Sequence, residues 1–350
     1  MRVFLTGGTG FIGQALARVI RSRGWQLDAL VRHPDSAPAR YLASLGATLV
    51  AGDVTQRESM RAAMARADLV IHNAGVYEFG ADAALRQRMQ AANVDGTDNT
   101  LGCALELGVP RSVYVSTTLA TGSTGVEPCD ETFVRQVPCM TEYERTKTEA
   151  HEIALRTRER GLPLIIVCPN QAVGPNDHSV FGYLLRMYLL YLLPPLAWSP
   201  GTTQSPVHVQ ALAEGVALAA EKGRIGENYL LCGEPTTLRQ LLEFWRPHRG
   251  GFTPKLWLPP ALMKVMFAPM EPLFRLAGLP AVFSRETVAA SIKHLNYSSA
   301  KAQRELGWTF PAAADMWPQI VERERQLLAL RTGLRAKLRP MEVMPGEADR

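Results

Sequence analysis

VFLTGGTGFIG, Val3 to Gly13, runs from an apolar stretch straight into a glycine turn. Gly7, Gly10 and Gly13 lie three apart, and the amphipathic segment GQALARVIRSRG follows at once. A strand, a glycine turn and a helix in that order gather backbone N–H groups and the positive end of a helix dipole at one point. A pyrophosphate can sit there, because glycines let the backbone approach it. Thr9, Phe11 and Ile12 complete the turn. Glycine spacing alone would also fit an ordinary turn, so the position after the first strand carries the reading.

Outward from that turn the pattern repeats. QLDALVR, ATLVAGDV, ADLVIHNAG, SVYVSTT, LPLIIVCP and ENYLLCG are strand-length apolar runs separated by helical segments. Such alternation predicts βαβ units, and right-handed crossovers make of them an α/β fold with a doubly wound parallel sheet covered on both faces. After Pro175 the texture changes to apolar helices with prolines, as in LWLPPALMKVMFAPMEPLFRLAGLP, while SPVHVQALAEGVALAAEKG reads as a return to the sheet. We therefore expect a dinucleotide-binding domain over 1–175, rejoined by 205–232. A smaller, mainly helical substrate lobe takes 176–204 and 233–330, and 331–350 is expected to be a disordered tail.

The chain has 350 residues, 47% hydrophobic and 20% charged, which excludes a disordered or collagen-like protein. Its 38 Lys and Arg against 33 Asp and Glu give +5 and a pI near 9.0. That mild excess suits an anionic cofactor or peripheral contact with a membrane surface and does not imply nucleic acid. The basic cluster Arg331, Arg335, Lys337 and Arg339 reads as a solvated helix end. Five cysteines without metal-ligand spacing predict no metal site and a reduced, cytoplasmic compartment. No cleavage-site pattern precedes the first strand, so no signal peptide is expected. In the apolar run from Ser179 to Trp198, Arg186 and Pro194-Pro195 leave less than the ~20 clean residues a membrane span needs. A buried or interfacial helix is expected instead, and a homodimer is compatible with this composition.

The strand ends carry the next candidates. An acidic residue after strand two would bond a bare ribose and a cation would take a 2′-phosphate; the sequence offers Arg32. NADP(H) is thus preferred, with NAD(H) the alternative. Asp53 and Val54 could hold the adenine, and Asn73, Ala74 and Gly75 could let a cofactor lie against the backbone. His72 reads as structural. In TEYERTKTEA, Tyr143 and Lys147 are four apart and share one helix face. YSSAK repeats that spacing at Tyr297 and Lys301, so spacing cannot choose between the pairs.

Order along the chain does choose. TGGTGFIG, AGDV, IHNAG, NVDGT, SVYVSTT, YERTK and CPNQAVGP occur in the sequence seen in extended short-chain dehydrogenase/reductases. The chain resembles most the dihydroflavonol-reductase-like and 3β-hydroxysteroid-dehydrogenase-like branch, over nearly its whole length. That resemblance implies a Rossmann-type fold, with Tyr143 and Lys147 catalytic and Thr118 as hydroxyl partner. It also implies that Ser116, Pro169 and Asn170 line the cofactor, and that Lys147 holds the nicotinamide ribose. YSSAKAQRELGW then matches the family's C-terminal lobe and assigns Tyr297 and Lys301 to a surface element. Where the family often shows His-Val-x-Asp, this chain has HVQALA with Ala211 in the aspartate's place, and His208 reads as structural.

A free tyrosine titrates near pH ~10, and one cation about 4 Å away at an effective dielectric of ~20 supplies ~4 kcal/mol, enough to lower that by about three. Lys147, helped by the positive charge of an oxidised nicotinamide, is therefore expected to depress Tyr143. The predicted reaction is carbonyl–alcohol interconversion by NADP(H) hydride transfer on a largely apolar small molecule. A nucleotide-sugar epimerase or dehydratase, and a non-catalytic NADP(H) sensor, are the alternatives.

Overall fold

In the first strand, Val3 and Leu5 enter one hydrophobic cluster while Phe4 between them enters another. The same division separates Val113 and Val115 from Tyr114, and Ile165 and Val167 from Leu164 and Ile166. Side chains that alternate between two buried faces require a sheet covered on both sides. The computed structural model, which describes residues 1–249, 253–276 and 283–344, has that sheet. Its strands are β1 (Arg2–Thr6), β2 (Gln26–Val31), β3 (Thr48–Ala51), β4 (Leu69–His72), β5 (Ser112–Val115), β6 (Leu164–Pro169) and a seventh, Asn228–Leu231. All pair in parallel, in the order seventh-β6-β5-β4-β1-β2-β3.

This is the expected Rossmann-type α/β fold. From β1 the chain winds one way through β2 and β3, then returns to β4 and winds the other way. The reversal leaves a crevice at the carboxyl ends of β1 and β4, the place where such sheets bind ligands. Helix α1 (Phe11–Ser22) and the helix Val209–Lys222 cover one face. The helices Gly96–Glu106 and Glu142–Glu159 cover the other.

Beyond the sheet, helices surround two aromatic clusters, one on Trp245 and Trp317 and one on Trp198 and Phe267. Within the apolar run from Ser179, the helix spans only Val180–Leu189, and Arg186 inside it is fully buried. Among the described residues no helix is long and apolar enough to cross a membrane.

The expected disordered tail needs correction. Residues 331–344 fold back on the chain through a short helix, Leu334–Leu338, and buried Arg331. Arg331 pairs with Glu324 at 3.3 Å and donates to Asn176 Oδ1 at 3.0 Å. Arg186 donates to the Leu338 carbonyl at 2.7 Å, and the Met341 N–H donates to Asn176 Oδ1 at 2.7 Å. Arg331 is therefore a buried partner of an acid and not a solvated helix end, whereas Arg335 and Arg339 are exposed. Residues 345–350 of the expected tail lie outside the described residues.

Candidate active site

A cavity of about 630 Å³ opens at the switch point and runs into the helical lobe. Its first part is built from the glycine turn. Gly7 has φ +70°, and a Cβ there would lie 2.7 Å from the Ala74 backbone. One at Gly13 would lie 2.0 Å from the Gly7 carbonyl, so helix and turn could not close on any larger residue. At Gly10 a Cβ would meet nothing closer than that carbonyl at 3.5 Å and would fill cavity space instead. The N–H groups of Phe11, Ile12 and Gly13, in the first turn of α1, have no carbonyl to bond within their helix.

Of the expected cofactor residues, Gly7, Thr9, Gly10, Phe11, Ile12, Arg32, Asp53, Val54, Asn73, Ala74, Gly75, Ser116, Tyr143, Pro169 and Asn170 line this one cavity. Gly13 and Lys147 stand behind its wall. Arg32 is exposed at the end of β2 and makes no ion pair among the described residues. Asp53 Oδ1 accepts from Thr55 N–H at 2.9 Å. Asn73 donates to the Gly7 carbonyl at 3.3 Å, tying the β4 end to the turn. Asn170 is spent on structure: it donates to the Leu295 carbonyl at 2.9 Å and accepts from Gln171 N–H. The glycine cradle, the free first-turn N–H groups and an unpaired cation at the second strand fit a nicotinamide dinucleotide.

Farther in, Thr141 caps the helix Glu142–Glu159 by accepting from Glu144 N–H, and this helix holds Tyr143 in the cavity wall with Lys147 one turn on, behind it. Three hydroxyls precede them. Ser116 Oγ lies 2.8 Å from His151 Nδ1, and Thr117 caps a short helix. Of these three, Thr118 Oγ1 is buried with no partner, an uncommitted hydroxyl in the cavity wall. Lys147 Nζ donates to Tyr114 Oη at 3.0 Å and to the Val115 carbonyl at 3.3 Å.

Lys147 pulls the Tyr143 phenol down, as expected, but it is opposed. Burial pushes that phenol above the ordinary value, and the pull of Lys147 is the smaller effect. The Tyr143 ring lies 4.7 Å edge-on from Tyr77 and 6.5 Å from Phe79, while the ammonium is directed to Tyr114 and the Val115 carbonyl. Burial likewise lowers Lys147, with Tyr143 pulling the other way.

The second Tyr-x-x-x-Lys pair is not in the cavity wall, but it is not a surface element either. Tyr297 is 2% exposed and donates to the Gly122 carbonyl at 2.7 Å, and Lys301 bonds Glu227 at 2.7 Å. His72 is buried between Thr6 and Thr97 at 2.8 and 3.0 Å, and its pKa falls to about 3, first through burial and then through Lys147. His208 Nδ1 accepts from Gln210 N–H and caps a helix.

Sequence reasoning missed the supports. Asn93, in a π-helical turn Gln90–Asp95, accepts from Val76 N–H at 2.7 Å and donates to Thr146 at 3.0 Å, holding the loop after β4 against the Tyr143 helix. Glu286 accepts from Gly80 N–H at 2.6 Å and from Glu142 N–H at 3.4 Å. Buried Glu144, next to Tyr143, pairs with Arg135 at 2.7 Å and with buried Lys293. These contacts join positions far apart in the chain, and only the NVDGT motif hinted at one of them.

Fold and site together define an NAD(P)-dependent oxidoreductase. The model of the NAD dependent epimerase/dehydratase family matches residues 3–232, and the chain belongs to that family. The chain is 30% identical over 317 residues to a 4-hydroxy-2-methyl-3-oxo-4-farnesyl-3,4-dihydroquinoline-1-oxide ketoreductase of Stigmatella aurantiaca, covering 88% of this chain and 92% of that one. It is 30% identical over 320 residues to sterol demethylase protein B of Methylococcus capsulatus, covering 88% and 93%. The solved crystal structure of gox2253 superposes with a TM-score of 0.78 at 33% identity, over 93% of this chain and 98% of that one.

Proposed function

We propose that this enzyme interconverts a ketone and a secondary alcohol on an apolar small molecule, with NADP(H) as the preferred cofactor. The observation that carries the substrate class is the inner half of the cavity. Phe181, Leu184, Leu193, Trp198, Trp245 and Phe283 line it, and no Lys or Arg does among the described residues. A nucleotide sugar brings a diphosphate, which needs cationic partners.

A bound nicotinamide supplies the hydride, or accepts it in the reverse direction. Tyr143, held protonated by burial, donates its phenolic proton to the carbonyl oxygen. Thr118 offers its uncommitted hydroxyl to that oxygen and fixes it. Lys147 restrains Tyr143 from behind, anchored by Tyr114 and the Val115 carbonyl, and its charge stabilises the phenolate left when the proton is given up.

NADPH oxidation is expected with apolar ketones and not with UDP- or dTDP-sugars, read at 340 nm with purified protein. Turnover confined to nucleotide sugars would reverse the assignment. Arg32→Ala should weaken NADPH about 10- to 150-fold, the range for one charge-assisted hydrogen bond, and leave NADH unchanged. Equal loss for both cofactors in binding titrations would remove Arg32 from the 2′-phosphate.

A further inference from the structure

The helices Pro260–Phe267 and Met270–Leu276 are apolar on two sides. Inward, Met263 and Phe267 on the first, and Met270 and Phe274 on the second, join the cluster that also holds Trp198 and Phe283. Phe267 and Phe283 line the cavity itself. Outward, Leu262, Val265 and Met266, with Leu273 and Leu276 from the neighbouring helix, are 42% to 88% exposed. A helix face of this kind needs an apolar counterpart outside the chain.

Charge indicates which counterpart. Lys255, just before these helices, is exposed, and Lys264 is half-buried on the helix that carries Leu262 and Val265, within a chain of net charge +5. A second copy would set like charges against one another, whereas anionic headgroups would be attracted. We propose that this outer face seats on an anionic lipid surface, where the same two helices separate the bilayer from the apolar cavity. Substrate then passes from lipid to active site without crossing water. The proposal rests on the reading of the substrate as apolar.

Co-sedimentation of the full chain with phosphatidylglycerol vesicles, and with phosphatidylcholine vesicles as the neutral control, tests it without substrate or cofactor. Wild-type protein should pellet with the anionic vesicles. The double variant Val265→Asp/Leu273→Asp should lose roughly ten-fold or more in partition coefficient, because interfacial binding scales with the apolar area inserted. Its NADPH oxidation with a water-soluble ketone should match wild type, since neither side chain lines the cavity. Wild-type protein left in the supernatant overturns the proposal, as does a variant that still partitions normally. So does a concentration-dependent dimer abolished by the variant in the absence of vesicle binding. Protein that binds vesicles but reduces no ketone overturns the reductase reading alone. Protein that reduces ketones and ignores vesicles overturns only the lipid surface.

Discussion

Tyr143→Phe is expected to lower kcat for ketone reduction by about 100- to 10,000-fold, the contribution of one positioned proton donor. The phenyl ring keeps its edge contacts with Tyr77 and Phe79, so folding and cofactor affinity should survive. The loss should therefore fall on kcat and not on the cofactor Kd. pH adds an independent readout. Because burial holds the phenol above its ordinary value, wild-type reduction should persist through neutral pH and fall only on the alkaline side, as the proton is lost. The variant should lose that alkaline limb together with most of its rate. A Tyr143→Phe enzyme with full turnover would end the assignment of Tyr143 as the acid.

Why the place of Tyr143 in the cavity wall could be read in the sequence while its surroundings could not is a matter of range. The seven strands were legible because each is four to six residues of local pattern, and the turn at Gly7 to Gly13 because its chemistry lies within one short segment. The Tyr143–Lys147 spacing was equally local. The environment of that pair is not. Tyr77 and Phe79 reach it from the loop after β4 and Tyr114 from β5, and burial opposes the effect expected from one neighbouring cation. Tyr297 was misplaced for the same reason, since nothing near it in sequence announces the Gly122 carbonyl that buries its hydroxyl. The fold-back at Arg331 depends on Asn176 and Glu324, one of them more than 150 residues away.

Glu144→Gln should cost about 3–5 kcal/mol of stability at neutral pH, the usual penalty for leaving a buried charge without its partner. Glu144 and Lys293 are 1% and 3% exposed, and Arg135 shares the carboxylate. With the acid gone, the buried Lys293 side chain is left without its carboxylate partner. The double variant Glu144→Gln/Lys293→Met should recover part of the loss, because replacing both members removes the stranded cation. The pH dependence gives the sign. Burial pushes the Glu144 carboxyl up, but Arg135, Lys293 and the Met140 N–H together hold it below its ordinary value. A depressed carboxylate stabilises the fold above its unfolded pKa of about 4.3, and that stabilisation is lost as pH falls through the lower folded value. Denaturant melts should therefore show a wide gap between wild type and Glu144→Gln at pH 7 that narrows in acid. Since Glu144 follows Tyr143 directly and Lys293 lies just past the Arg285–Ser291 helix of the helical lobe, the pair also fixes the first turn of the catalytic helix against the substrate chamber. A Gln variant as stable as wild type at neutral pH would show that the ion pair does not perform this anchoring.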